Sequence, residues 1–175
     1  MSNAVSRIEV DPHTIGLHIM AHDGDHLVFT YQRLFSMIWQ HQTAPTAVNR
    51  AIQYVRDFAE SQSPRRFCLL TVIESSATMP SSPARARLAM LMRECSAHVI
   101  RSAVGFEGSG FRGAAIRGVA TGIAVVSKHQ FPHRIFADVE AATEWLADGL
   151  TSELGVVKGH ELAEVVRVAR RLSPS

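Results

Sequence analysis

The first forty residues alternate between apolar and polar positions, which is the period of a β-strand. In the first segment the apolar positions share one face and predict a half-buried strand: Ile15, Leu17 and Ile19. The Asp23-Gly24 pair that follows is typical of a tight hairpin, because glycine tolerates a positive φ. The segments 26–31 and 34–39 continue the alternation. We therefore predict an opening antiparallel meander of three strands.

From about residue 43 onward, segments with a helical spacing of apolar residues alternate with short apolar runs. The helical spacing predicts helices that include Ala51–Ala59, Leu88–Cys95, Phe111–Lys128, Ala142–Leu150 and His160–Leu172. The apolar runs predict strands at Phe67–Ile73, Val99–Phe106 and Arg134–Ala137. Strand-helix-strand units require right-handed crossovers and largely parallel pairing. The fold class is therefore α/β, with a mixed, mostly parallel sheet of about six strands, an antiparallel opening meander and helices packed against the sheet.

Short polar residues mark the expected helix starts, because their side chains accept hydrogen bonds from free N–H groups. Thr43 or Thr46 is predicted to cap the first helix, and Asp138 the fourth. Ser82 is predicted to cap the second helix, with Pro83 at its first position.

The length of 175 residues suits one domain. We expect one α/β domain over residues 10–155 and a C-terminal helical extension over residues 156–175. The apolar side of the last helix predicts that it either packs back on the domain or serves a dimer. A homodimer through that helix, or through the third helix around Gly118, is one hypothesis.

Charge and composition exclude several classes of protein. The formal net charge is +2, with 18 basic and 16 acidic residues, which is too small to predict nucleic-acid binding. No signal peptide or stretch of about 20 uncharged residues is present, so we expect a cytoplasmic protein without a membrane partner. The two cysteines, Cys68 and Cys95, lie in apolar segments and are expected to be buried free thiols.

A glycine-rich turn is one candidate ligand site. Gly108, Gly110 and Gly113 form a G-x-G-x-x-G pattern between a predicted strand and a predicted helix, as in dinucleotide-binding turns. Glu107 opposes this hypothesis, because it brings negative charge to the place of the pyrophosphate. Gly118 and Gly122 instead favour close helix packing along a small face with Ala114. Binding of a nucleotide or another small anion at the Gly108–Gly113 turn therefore remains an alternative hypothesis.

Charged residues gather at a second candidate site. Glu74 and Glu107 each follow a strand of the predicted parallel pair, so both are expected at the carboxyl edge of the sheet, with Arg112 near them. These side chains either bind a ligand or are solvated strand-end charges. The histidines His18, His22 and His26 span the predicted hairpin, and no acidic or cysteine set completes a metal site. We therefore predict no metal, no cofactor and solvent-facing histidines.

Two serines are candidate phosphorylation sites. Ser82, with Ser81 as its alternative, lies at a predicted helix start, where a phosphate is well placed and Arg85 and Arg87 are close in sequence. No G-x-S-x-G elbow surrounds either Ser76 or Ser82, so a serine hydrolase is not predicted.

Several segments together resemble a bacterial STAS-like family, the anti-sigma-factor antagonists. The resemblance covers roughly residues 26 to 150 and is carried by 34–39, 70–74, 102–108, 111–117, 131–137 and 140–146. The resemblance implies a regulatory α/β fold, usually without catalysis. In that family the switch is an Asp-Ser-Ser-Gly-like motif before a helix, and here Glu74-Ser75-Ser76-Ala77 stands near that position, which makes Ser76 the equivalent switch residue.

We therefore predict a non-enzymatic regulatory module that binds a protein partner, with a ligand or phospho-switch site at the strand carboxyl ends. The alternative is a small-molecule or nucleotide-binding domain that uses the Gly108–Gly113 turn.

Overall fold

A computed structural model describes residues 16–155 and 157–172 and shows one six-stranded sheet covered by helices. In chain order the elements are β1 (Leu17–His22), β2 (His26–Tyr31), β3 (Leu34–Trp39), α1 (Pro45–Ser61), β4 (Phe67–Ile73), α2 (Ser82–Glu94), β5 (Val99–Phe106), α3 (Gly110–Ser127), β6 (His133–Phe136), α4 (Val139–Leu154) and α5 (Gly159–Arg171). Ile15 of the predicted first strand lies outside the described residues.

The strands lie in the sheet in the order in which they occur in the chain. β1, β2 and β3 pair antiparallel, whereas β3 to β6 pair parallel. The predicted fold class is confirmed. Because β4 and β5 are parallel neighbours, with Thr71 opposite Val104, their carboxyl ends share one edge of the sheet.

Alternate residues of each strand face two separate helix layers. On one face, residues such as Phe35 and Leu69 pack with α1 and α2, and α3 completes that layer beside α2. On the other face, residues such as Leu70 and Ala103 pack with α4 and α5. The strands are therefore apolar on both sides, which explains the near-continuous apolar run of β4.

Helix α5 packs back on the domain. It lies against α4, and its buried side chains Leu162, Val165 and Val166 belong to the same core cluster as Leu70 and Leu146. This is the first of the two roles predicted for the last helix.

Two of the three predicted helix caps are wrong. Asp138 caps α4 as predicted, since its carboxylate accepts the N–H of Ala141 at 2.6 Å. Helix α2 is capped by Ser81, whose hydroxyl accepts the N–H of Ala84, because Ser82 already belongs to the helix. Helix α1 follows Ala44 without a side-chain cap, and Pro45 in its first turn has no N–H that needs one.

The structure corrects two other predictions, one on the exposure of His26 and one on the packing of Gly118 and Gly122. His26 is not solvent-facing, because its ring is buried and stacks on Trp39 with 5.4 Å between the ring centroids. Gly118 and Gly122 are not close-packing positions, because a Cβ added to either would meet nothing within 4 Å. Their small face points away from the rest of the described chain.

Cys68 and Cys95 are buried free thiols as predicted, and burial raises the pKa of each to about 12.

Candidate functional site

Glu74 and Glu107 meet at the carboxyl edge of the sheet on a residue of the last helix. Arg170 of α5 donates from Nε to the Glu74 carboxylate at 2.6 Å and from Nη1 to the Glu107 carboxylate at 3.0 Å. Arg112, in the first turn of α3, lies beside them. We refer to Glu74, Glu107, Arg112 and Arg170 as the sheet-edge cluster. It combines two negative and two positive charges and is therefore neutral overall.

Arg112 holds the segment that follows β4, which we call loop 74–81. Its Nη2 donates to the carbonyls of Glu74, at 2.8 Å, and Ala77, at 3.0 Å. Further along the loop, the N–H of Thr78 donates to the carbonyl of His41 at 2.7 Å. The loop is therefore fixed both to α3 and to the segment that follows β3.

The sheet-edge cluster gives a stability prediction for Arg170→Met. The Glu74 side chain is only 19% exposed, and the substitution leaves its carboxylate without its cation. Since this pair is partly buried, we expect the free energy of unfolding to fall by about 1–2 kcal/mol, between the values for exposed and buried pairs. Urea denaturation of the two proteins measures the difference.

Arg171→Met is the matched control, because the neighbouring Arg171 is 70% exposed and pairs with Glu164 at the surface. We expect that control to change stability by less than about 0.5 kcal/mol. Equal losses in the two variants would contradict the structural role assigned to Arg170.

The Gly108–Gly113 turn opens α3, as its pattern predicts. Gly108 and Gly110 have φ values of +148° and +67°, which side chains rarely adopt, and Gly113 packs against the ring of Phe106. These contacts and angles account for all three glycines. Glu107 directly precedes the turn, so its carboxylate opposes an anion there.

The two candidate serines are exposed, and each has a partner. The Ser76 hydroxyl donates to the carbonyl of Gln40 at 2.6 Å. The Ser82 hydroxyl accepts a hydrogen bond from Nη2 of Arg85 at 2.9 Å. Ser76 lies in loop 74–81, six residues before Ser82, the first residue of α2, so of these two serines only Ser82 stands at a helix start.

An apolar cavity of about 80 Å³, which we call the inner pocket, lies between the sheet and helices α2 and α3. Its floor is formed by residues of β3 to β6 that share one face, and its roof by Leu88 and Leu91 of α2 with Ile116, Val119, Ala120 and Ile123 of α3. Ala77–Pro80 of loop 74–81 form part of its wall, so the sheet-edge cluster holds one side of the pocket.

The inner pocket has polar groups at both ends. At the carboxyl edge, the indole N–H of Trp39 is buried and finds no hydrogen-bond partner among the residues that the structure describes. At the other end, Ser102 and His133 face each other across β5 and β6, with Oγ and Nδ1 3.2 Å apart. The second ring nitrogen of His133, Nε2, is also buried and unpaired within residues 16–155 and 157–172.

His133 is held in its neutral form. Burial lowers the pKa of His133 to about 4, and the nearby His129 contributes to the same shift. The two rings meet edge to face at 5.5 Å, and His129 in turn contacts the Ser127 hydroxyl at 2.7 Å. Burial also lowers the pKa of His129.

The outer surface of α3 is apolar. Phe111 is 92% exposed, Val125 71% and Val126 61%. Between them the exposed Ala114, Gly118 and Gly122 continue one stripe along the helix. Beside this stripe an open groove of about 560 Å³, the outer groove, is lined by Arg85, Ala86, Gly118, Val119, Gly122, Ile123 and Val126. Val119 and Ile123 line both the outer groove and the inner pocket.

Helices α2 and α3 and the C-terminal end of α3 carry exposed basic residues, of which Arg85 lines the outer groove, namely Arg85, Arg87, Arg93, Arg117 and Lys128. None of them forms an ion pair with another described residue. The sequence of α3 contains no acidic residue, and that of α2 contains only Glu94, which pairs with Arg56 of α1. The exposed residues of α2 and α3 therefore combine an apolar stripe with an excess of positive charge.

Sequence reasoning placed Glu74, Glu107 and Arg112 together but missed Arg170, Trp39, Ser102 and His133. Arg170 lies 96 positions after Glu74, and nothing in its local sequence links the two residues. The polar Ser102 within the apolar β5 run was a usable signal, because a serine there needs a partner.

No group of three or more potential metal ligands occurs in the part of the chain that the structure describes. None of the described helices is long and apolar enough to cross a bilayer. Neither a protein-family model nor a curated protein nor a solved structure matches this chain.

Proposed function

We propose that this protein is a non-enzymatic, STAS-like regulatory module that binds another protein through the outer surface of α2 and α3. The observation that carries the proposal is the exposed apolar stripe from Phe111 to Val126. Scattered exposed apolar residues are normal, but a continuous apolar patch with a polar rim is typical of an interaction surface. The order of strands and helices and the resemblance of residues 26 to 150 support the regulatory part.

The shape of the stripe suits a helix of the partner. It runs over 15 residues from Phe111 to Val125, about 21 Å along the helix axis. Large side chains stand at its two ends, and the glycines between them leave room for a close approach of a second backbone. A helix that lies along α3 can therefore bury Phe111 and Val125 and fill the outer groove with its own side chains.

The charges around the stripe select the partner. Arg85, Arg117 and Lys128 attract an apolar helix flanked by Asp and Glu, and steer its approach. A second copy of this chain fits less well, because a two-fold contact of α3 with α3 brings the same basic residues together. We therefore propose a different protein with an acidic amphipathic segment as the partner.

Site-specific photo-crosslinking tests the proposal. A benzophenone amino acid is placed at Phe111, at Val126 or, as the control, at Ile19, an apolar residue of β1 that is 41% exposed. We expect adducts with one partner in the native cell from the two α3 positions and none from Ile19. The crosslinked peptide should carry acidic residues around apolar ones.

A second variant makes the test specific. Gly118→Leu fills the shallow part of the stripe, and a Cβ at that position meets nothing within 4 Å, so the fold is retained. We expect it to reduce the adduct yield at least tenfold. Equal adducts at Ile19, an unchanged yield in Gly118→Leu, or adducts only with a second copy of the chain would overturn the proposal.

A further inference from the structure

The inner pocket is a cavity that the proposed interaction at the outer surface does not use. Its floor contains Ser102 in one row of the sheet, Thr71 in the next and Trp39 in the third. Along β4, the row that contains Ser102 and the row that contains Trp39 are four residues apart, which corresponds to about 13 Å. A volume of about 80 Å³ spread over that length makes the pocket a narrow slot.

The narrow shape selects against rings. A dry apolar cavity that holds benzene has a volume of about 150 Å³, nearly twice that of the inner pocket. The roof of the pocket is aliphatic, with Leu88, Leu91, Ile116 and Ile123 opposite the sheet. A short, flexible alkyl chain fits such a slot better than an aromatic molecule does.

The polar groups at the end of the pocket formed by Ser102 and His133 indicate which polar group a bound molecule would carry. If the Ser102 hydroxyl donates to Nδ1 of His133, the buried Nε2–H of His133 lacks an acceptor. If Nδ1–H donates to Ser102 instead, Nε2 is an unpaired acceptor. A hydroxyl group satisfies either arrangement, because it both donates and accepts.

A charged head group is excluded by the same surroundings. Ser102 is buried, and no described cation lines the inner pocket. Because burial favours the neutral imidazole, His133 supplies no counter-charge near neutral pH. A carboxylate would lose its hydration there without compensation.

We infer that the inner pocket binds a small neutral molecule with a short alkyl chain and a hydroxyl group, which bonds to Ser102 and His133. The assignment goes beyond the proposed protein interaction and does not depend on it.

Butan-1-ol is the probe for this inference, with butanoate as the charged control. The full chain carries ¹³C-labelled Ile, Leu and Val methyl groups and is titrated at pH 7. We expect saturable shifts at Ile116, Ile123 and Leu91, with millimolar or tighter binding of butan-1-ol. Butanoate should bind at least tenfold more weakly.

Three variants locate the site. Ala120→Phe fills the pocket and should abolish the shifts, whereas Ala114→Phe, the same change on the exposed side of α3, should leave them unchanged. His133→Phe removes the polar end and should weaken butan-1-ol binding at least tenfold. Xenon, which needs only an apolar cavity, should bind His133→Phe as it binds the unmodified protein.

Several outcomes would overturn the assignment. They are non-saturating shifts, equal binding of butanoate, or butan-1-ol binding that survives either Ala120→Phe or His133→Phe. Should Ala120→Phe fail to fold, the smaller Ala120→Leu and the His133→Phe titration decide the question. Adduct formation at Phe111 is measured without the probe, so failure of one proposal is distinguishable from failure of the other.

Discussion

A chain that ends at Leu154 is expected to lose its cooperative unfolding transition. Such a chain lacks α5, whose Leu162, Val165 and Val166 are fully or almost fully buried. Burial of each such side chain stabilises a protein by about 1.5–3 kcal/mol, so the three together contribute about 5–9 kcal/mol. This approaches the total stability of a typical domain, about 5–15 kcal/mol. Removal of α5 also exposes the apolar face of α4.

Thermal unfolding followed by circular dichroism measures this effect. In the full chain, Val166→Ala should lower stability by about 1–3 kcal/mol, since it removes two buried methyl groups. Arg167→Ala, on the exposed side of the same helix, should change it by less than about 0.5 kcal/mol. A cooperative transition of the shortened chain near the melting temperature of the full chain would refute the structural role of α5.

Acidification from pH 7 to pH 4 is expected to destabilise the protein by about 3 kcal/mol through His133 alone. The folded pKa of His133 is about 4, against 6.5 for an unperturbed histidine. Between these values the unfolded chain binds a proton that the folded chain does not, so stability is complete above pH 6.5 and falls as the pH falls. Each pKa unit corresponds to about 1.4 kcal/mol. His129 acts in the same direction, because burial lowers its pKa too.

Urea denaturation between pH 4 and pH 7 tests this dependence. His133→Gln removes the titrating ring, so the slope of the free energy of unfolding against pH should decrease by about 1.4 kcal/mol per pH unit in this range. His160→Gln, at an exposed histidine, should retain the slope of the unmodified protein. Equal slopes in the two variants would show that His133 is not the residue responsible.

The strand-helix order was predictable because it depends on local spacing. The bounds of β4 and β5 follow directly from two apolar runs with polar residues at their ends. Their parallel pairing follows from the connecting helix, and it brings Glu74 and Glu107 together, as the sequence predicted.

Contacts between distant segments were not predictable in the same way. Arg170 reaches Glu74 only because α5 folds back over α4. His133 meets Ser102 only because of the register between β5 and β6, since neither residue has a local signal for the other. The cap of α2 depended on where helical backbone angles begin, which differs by one residue between the adjacent Ser81 and Ser82. Helix α1 begins after Ala44 with no side-chain cap, although two threonines lie close by.

Helix α3 shows how composition can mislead. Its residues are apolar around most of the helix, a pattern typical of complete burial. The sheet and α2 cover only one side of it, with Ile116 and Ala120 buried and Phe111 and Val125 exposed. The glycines at 118 and 122 suggested an internal contact because sequence alone does not show which neighbour is present.

Two side chains, Val119 and Ile123, line both the inner pocket and the outer groove. A small molecule in the inner pocket and a partner helix in the outer groove would both contact these two side chains. Any effect of the small molecule on the affinity of the partner must therefore be matched by an equal effect of the partner on the affinity of the small molecule. Val119 and Ile123 are thus the side chains through which the two proposed ligands would influence each other's affinity.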